Sequence, residues 1–406
     1  MTTWPRTYKK WKIGQPMPGL RTHHGFVVEV PQFLVDQLTE AAQAPFVGIT
    51  TDGNPRSEVW QMTPTGRSAT PIVDAALDFL DSVDQPDYRA YIQQPLDSWH
   101  RRNWCNALPI IMPAGVLLED FTPRQREKAL KMIGLCFSDQ GYELLRRTMR
   151  LNEATGDIVN MFMDSWHEFG AFLTLFGEPS IDQPWAWQLQ GTHIDINCTI
   201  VGDQLSLEPL FLGAEISEIE HGRFAGLSGY QEEEAAGLAL GASLTEGQLE
   251  KAVLHPSMKA ADLPPELAGP IDGRHLGGMG RDNLQHEYVG LCVSGFTDEQ
   301  RTLLLQLVDV YLNRLPSGYR EQRRQQIVDH LSETYVAYIG DPAAKPFYYL
   351  IQSPTVWIEF DHHPGLLFDD AWDPIPFHIH TIMRMPNGGD YGMAWIRDWE
   401  KANSGP

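Results

Sequence analysis

Two hydrophobic periods divide the chain. Helical spacing marks residues 31–44 (PQFLVDQLTEAAQA), with Pro31 near the first turn, and a second helix is expected over 70–84. Three further helices share one start signal. Thr122 with Gln125, Thr245 with Gln248 and Thr297 with Gln300 each fit the capping box that precedes an apolar periodic run. In such a box the threonine hydroxyl accepts from a free amide of the first turn while the glutamine reaches back to the cap amide. The first of these helices runs to about residue 149 with a break near 138–141, the third to about 314, and another helix is expected over 319–338. The phrases FTPRQR (121–126) and FTDEQR (296–301) are alike, which fits either a distant internal duplication or the independent recurrence of one cap.

Alternating spacing marks the strands. In 192–200 (THIDINCTI), Ile194, Ile196, Cys198 and Ile200 share one face while His193, Asp195, Asn197 and Thr199 share the other. A turn at Gly202 and Asp203 leads into a partner strand over 204–212. Residues 347–361 carry two strand-like runs split at Pro354, and 377–384 (FHIHTIMR) carry one more. Helices and strands mix without a regular βαβ alternation. That predicts an α+β fold, with helices packed on a mostly antiparallel β-sheet. The expected organisation is an N-terminal extension with helices over 1–90, a main α+β domain over 91–396 and a tail over 397–406. The Pro- and Gly-dense stretch 255–286 is expected to be a long surface loop, either a lid or an insertion.

Composition narrows the partners. The chain has 406 residues, 42% hydrophobic and 10% aromatic, enough to bury a sizeable core. Its formal net charge of −22 repels nucleic-acid phosphate and anionic lipid. The expected partner is therefore a small-molecule substrate, with no nucleic acid and no membrane, and the oligomeric state is left open. Cys105, Cys136, Cys198 and Cys292 form no CxxC motif and read as buried free thiols. The basic N-terminus lacks the apolar core of a signal peptide, and cytoplasm is the expected location. Neither a phosphate loop nor a GxSxG nucleophile turn is present.

The chemistry concentrates near the C-terminus, where His362, His363, His378 and His380 fall within 19 residues. On a strand, His378 and His380 point the same way, and two such imidazoles are natural ligands for zinc, manganese or iron. Glu359 and Asp361 share a face at the same spacing, as do His193 and Asp195. A metal site takes three or four such groups and leaves a position for water or substrate. The competing readings are a metal-free histidine–carboxylate site and plain solvent-facing polarity. Arg384 lies on the His380 face and can hold an anion bidentately, or pair with Asp390 in the turn that follows. Trp187, Gln188 and Glu215 flank the His193 segment as candidate substrate contacts, and WHRRNW (99–104) can supply cations.

Several segments resemble the domain of unknown function 3500 family: RRNWCNALP (101–109), WAWQLQGTHIDINCTIVGD (185–203), PLFLGAE (209–215), IQSPTVWIEFD (351–361) and HIHTIMRMPNGGDYG (378–392). The resemblance spans roughly residues 95 to 393. Its pattern implies roles for Trp187, Gln188, Gly191, His193, Glu359, Asp361, His378, His380 and Arg384. The family form has two histidines after the glycine, and Thr192 stands in place of the first here. The resemblance implies that these segments form one unit and implies no particular reaction.

The resulting expectation is a metal-dependent hydrolase acting on a small organic molecule. His193, Glu359, His378 and His380 would bind a divalent zinc, manganese or iron ion, with Asp361 and Arg384 catalytic. Trp187, Gln188, Glu215 and Asp390 would contact substrate. The alternatives are a metal-dependent lyase, a non-haem iron oxygenase, or a small-molecule binding protein without turnover.

Overall fold

The computed structural model describes residues 20–21, 27–28, 31–106, 110–159, 166–267, 275–364 and 373–404. A two-stranded pair, β1 (Leu20–Arg21) and β2 (Val27–Val28), precedes α1 (Gln32–Gln43). A series then begins: α2 (Thr70–Ser82), α3 (Pro86–Ile92), β3 (Gln93–Gln94), β4 (Val116–Leu117), α4 (Pro123–Leu135) and α5 (Asp139–Val159). Strands β5 (Ala171–Phe176), β6 (Trp185–Gly191), β7 (Ile194–Val201), β8 (Gln204–Ser206) and β9 (Leu210–Ala214) follow. The same order returns in α6 (Gln231–Ala242), α7 (Glu246–Ala252), β10 (Val253–His255), β11 (Leu291–Cys292), α8 (Asp298–Leu312) and α9 (Tyr319–Asp329). It continues through β12 (Tyr335–Gly340), β13 (Phe347–Gln352), β14 (Trp357–Pro364) and β15 (Pro374–Arg384), and α10 (Met393–Asn403) closes the chain.

The two series build the two halves of one 13-stranded sheet, ordered β10-β12-β13-β14-β15-β9-β7-β6-β5-β3. In each half a two- or three-residue strand after a helix pairs in parallel with the first long strand (β3 on β5, β10 on β12), and a second short strand pairs with it antiparallel (β4 on β5, β11 on β12). The capping boxes at Thr122 and Thr297 sit at matching places. Gln125 Nε2 donates to Ser82 O at 2.8 Å, and Gln300 Nε2 donates to Ser243 O at 2.8 Å. The likeness of FTPRQR and FTDEQR thus reflects two like-ordered halves, which meet where β9 pairs with β15.

The fold is α+β, and the sheet is mixed where a mostly antiparallel one was expected. The parallel pairs lie at its two edges, because β3 and β10 arrive straight from a helix rather than through a hairpin. The expected helix over 319–338 stops at Asp329. Beyond it, Val336 and Tyr338 point into one core and Ala337 and Ile339 into another, while every residue of β12 pairs with β13. Sheet pairing on two buried faces outweighs the helical continuation there.

Alternation along the strands separates two chemistries. One face presents Leu175, Trp187, Ile196, Cys198, Leu212, Tyr349 and Phe360 to a large core shared with α2, α4, α5 and α8. The other presents Asn197, Glu359, Asp361, His378, His380 and Arg384, all buried. That second face is covered by α1 and by loop residues including Ile49, Trp104, Met112, Leu276 and Met279. The polar face is therefore not a solvent face. The loop expected on the surface at 255–286 also departs from that expectation, because His275, Leu276 and Asp282 are buried against the sheet. Cys105, Cys136 and Cys198 are buried thiols, and Cys292 is only half-buried. No helix among the described residues is long and apolar enough to cross a membrane.

Candidate metal centre

Three strands and one turn bring the imidazoles together. His380 on β15 stands opposite Asp361 on β14 on one side and opposite Gly213 on β9 on the other. His193 was expected on a strand. It lies instead in the two-residue turn between β6 and β7, with a left-handed φ of 60°. Two hydrogen bonds hold that turn: Asn152 Nδ2 donates to Thr192 O at 2.6 Å, and Gly213 N donates to His193 O at 3.0 Å. The turn swings the His193 ring over the sheet toward His378 and His380.

The three Nε2 atoms converge. His378 Nε2 lies 2.9 Å from His380 Nε2 and 3.2 Å from His193 Nε2. Two nitrogens bound about 2.1 Å from one ion and about 90–110° apart stand about 3.0–3.4 Å from each other. The spacing is thus one at which the imidazoles could hold a common ion. The tautomer agrees. His378 Nδ1 lies 2.8 Å from Pro364 O, a carbonyl that only accepts, so Nδ1 carries the proton and Nε2 keeps its lone pair. Glu215, at the end of β9, places Oε2 3.4 Å from His378 Nε2. Gly213 makes the convergence sterically feasible. A Cβ there would stand 2.5 Å from Ile379 O, 3.0 Å from His380 Cδ2 and 3.3 Å from His193 Cδ2.

Burial holds the His378 and His380 imidazoles well below the usual histidine value of 6.5, and the neighbouring histidines push the same way. Both rings therefore stay neutral, as ligation requires. The unfolded chain takes up these protons first, so the metal-free fold loses stability as pH falls below about 6.5. By the same reasoning, a divalent ion loaded onto these imidazoles would be expected to stay bound well below pH 6.5. Acid titration of the loaded protein against a metal indicator checks this, and a release midpoint at or above 6.5 would show that burial does not protect the ligands.

A second trio adjoins the first. Ligand atoms of His275, His363 and His380 all lie within 4.8 Å of one another. His363 Nδ1 lies 2.7 Å from Asp361 Oδ2, and His275 Nε2 lies 3.7 Å from the same oxygen. The His363 ring stacks on His380 with centroids 4.2 Å apart. Sequence reasoning placed neither residue in the site. For His363 the signal was available, since it follows Glu359 and Asp361 at the same two-residue step. His275 sits in an aperiodic loop and carried no such signal. His362 faces the other way, its Nε2 3.1 Å from Glu234 Oε1 on α6.

Several expected site residues serve other groups. Glu359 is corrected from ligand to clamp: its carboxylate accepts from Leu276 N (2.9 Å), Gly277 N (2.7 Å), Tyr348 Oη (2.9 Å) and Trp357 Nε1 (2.6 Å). Arg384 is corrected from a catalytic role. It is fully buried and bonded to Asp390 Oδ2 (2.9 Å), Asp282 Oδ1 (2.6 Å) and Gly277 O (2.9 Å). Asp390 is spent on that pair and on Met385 N, at 2.7 Å. Trp187 points into the opposite core, and Gln188 Nε2 is engaged by Asn197 Oδ1 at 2.8 Å and Arg101 O at 3.2 Å. None of these five is placed to contact substrate at the imidazoles. The expected cations Arg101 and Arg102 are buried, Arg102 on Asp282 at 3.0 Å. Asp361, His193, His378, His380 and Glu215 are the expected residues that the fold brings together.

A family model described as "Protein of unknown function (DUF3500)" matches residues 65–393. The chain belongs to this family. The DUF3500 match begins just before α2, earlier than the resemblance starting near residue 95, and takes in every strand of the large sheet and every histidine of both trios. No curated protein and no solved structure matches the chain.

Proposed function

We propose that this DUF3500 protein is a metal-dependent hydrolase of a small organic molecule. The observation that carries the reading is the convergence of three buried imidazole nitrogens, His193, His378 and His380, at 2.9 and 3.2 Å about His378. Three histidines with a fourth position open to water are a catalytic set for zinc, and manganese or iron also suits imidazole. A bound divalent ion supplies a water of lowered pKa and polarises a carbonyl. Pro364 O fixes the His378 ring through Nδ1. Glu215, the carboxylate beside His378 Nε2, is placed to take a proton from the attacking water. Asp361 orients His363. The −22 net charge fits a small substrate rather than a polyanion.

Glu215 also favours a second reading. As an oxygen ligand beside His378, with one further imidazole, it would make a two-histidine, one-carboxylate face, which suits a non-haem iron oxygenase. Turnover that requires dioxygen selects that reading. Incorporation of solvent oxygen into product without dioxygen selects the hydrolase.

Elemental analysis of the untagged protein beside the His378→Ala/His380→Ala variant tests the centre. At least one equivalent of zinc, manganese or iron per chain is expected in the wild type and none in the variant. A wild-type protein that holds no metal and takes none up on titration sinks the reading.

A further inference from the structure

We infer that the centre takes two metal ions, with His380 bridging them through its two ring nitrogens. The inference rests on the metal-site reading above and extends it. Three observations carry it. The first is that two separate trios of ligand atoms share one residue, His380. The second is the orientation of its ring. Its Cδ2 edge faces Gly213 on β9, and in an imidazole Nδ1 lies on the opposite edge. Nδ1 therefore faces β14, the strand that carries Asp361 and His363, while Nε2 faces His378 and His193. The third is that His380 Nδ1 is buried and accepts or donates no hydrogen bond among the described residues. A buried ring nitrogen without such a bond is costly unless something binds it.

The second set has its own supports. Asp361 Oδ2 lies 2.7 Å from His363 Nδ1, the carboxylate–imidazole contact that orients a ligating ring and raises its basicity, so His363 presents Nε2. His275 is held over the sheet by the loop that Glu359 clamps through Leu276 N and Gly277 N. His363 is the half-buried member of the set, so the second subsite lies nearer to solvent than the first. Binding balances simply. Each ion takes lone pairs from neutral imidazoles, and His380 gives up its one remaining ring proton to solvent when both nitrogens are ligated. The two positive charges stabilise the resulting imidazolate.

Titration of chelator-treated full-length protein with zinc tests this, with bound equivalents counted after desalting. Two equivalents are expected in the wild type. One is expected in His275→Asn/His363→Asn and one in His193→Asn/His378→Asn, each checked for an intact fold by circular dichroism. A wild type that saturates at one equivalent overturns the bridged pair and leaves the single centre standing. A wild type that takes none overturns both. Copper(II) gives an independent reading that needs no variant. With one equivalent the single-ion paramagnetic resonance signal should appear, and with two it should be lost through coupling across the His380 ring. A signal that merely doubles overturns the bridge.

Discussion

Replacing Arg384 with methionine is expected to destabilise the protein by about 3–5 kcal/mol, the usual cost of breaking a buried ion pair by removing one partner. The guanidinium is fully buried. Burial by itself works against its charge, and the facing Asp390 and Asp282 more than offset that, so it stays protonated. Without it, Asp390 keeps only the Met385 amide among the described residues, while Asp282 keeps Arg102 at 3.0 Å and the Tyr391 hydroxyl at 2.9 Å. Asp282 belongs to the loop that carries His275, and Arg384 also binds Gly277 O in that loop. Urea unfolding at neutral pH measures the effect, and zinc titration of whatever fraction stays folded reports on the site. A substrate-binding arginine would behave differently, losing turnover while unfolding within about 1 kcal/mol of wild type, and that outcome would reject the structural role.

Glu359→Gln is expected to cost about 2–4 kcal/mol and to loosen the loop at Leu276 and Gly277. Four donors converge on this carboxylate, and an amide in its place offers one acceptor oxygen and two donor hydrogens. About two of the four donors then face another donor, at about 1–3 kcal/mol for each left buried and unbonded. Hydrogen exchange locates the change: the Leu276 and Gly277 amides should exchange faster while those of β14 and β15 stay protected. Were Glu359 a metal ligand instead, the substitution would lower zinc uptake on titration and leave those two amides protected.

Both predictions turn on residues whose surroundings are distant in sequence. The spacing of His378 and His380, and of Glu359 and Asp361, is local, and so is the pleat that sends each pair to one face. Which carboxylate meets the imidazoles is not local. Glu359 stands two residues before Asp361 on β14, opposite Ile382 rather than His380, and there the amides of Leu276 and Gly277 reach it. Glu215 replaces it beside His378, because β9, far from β15 in sequence, pairs directly with it. Register between strands of different halves depends on the packed sheet, and a single chain's hydrophobic period carries none of it.

What the chain determined locally is therefore clear from particular elements. Helix starts at Thr122 and Thr297 were legible because a capping box is made within four residues. The β14 and β15 faces were legible because alternation needs only neighbours. Tertiary structure decided the rest. It ended α9 at Asp329 by pairing Tyr335–Gly340 with β13, and it put His193 into a left-handed turn rather than a strand. It also brought His275 from a loop without period to the His363 ring. Above all it buried the polar face. A row of histidines and carboxylates along a strand is ordinary when water covers it, and becomes a ligand set only when loops and α1 exclude that water, keep the imidazoles neutral and leave their nitrogens facing one another. Periodicity marks which side of a strand a residue occupies; what lies across from that side is set by contacts far away in the chain.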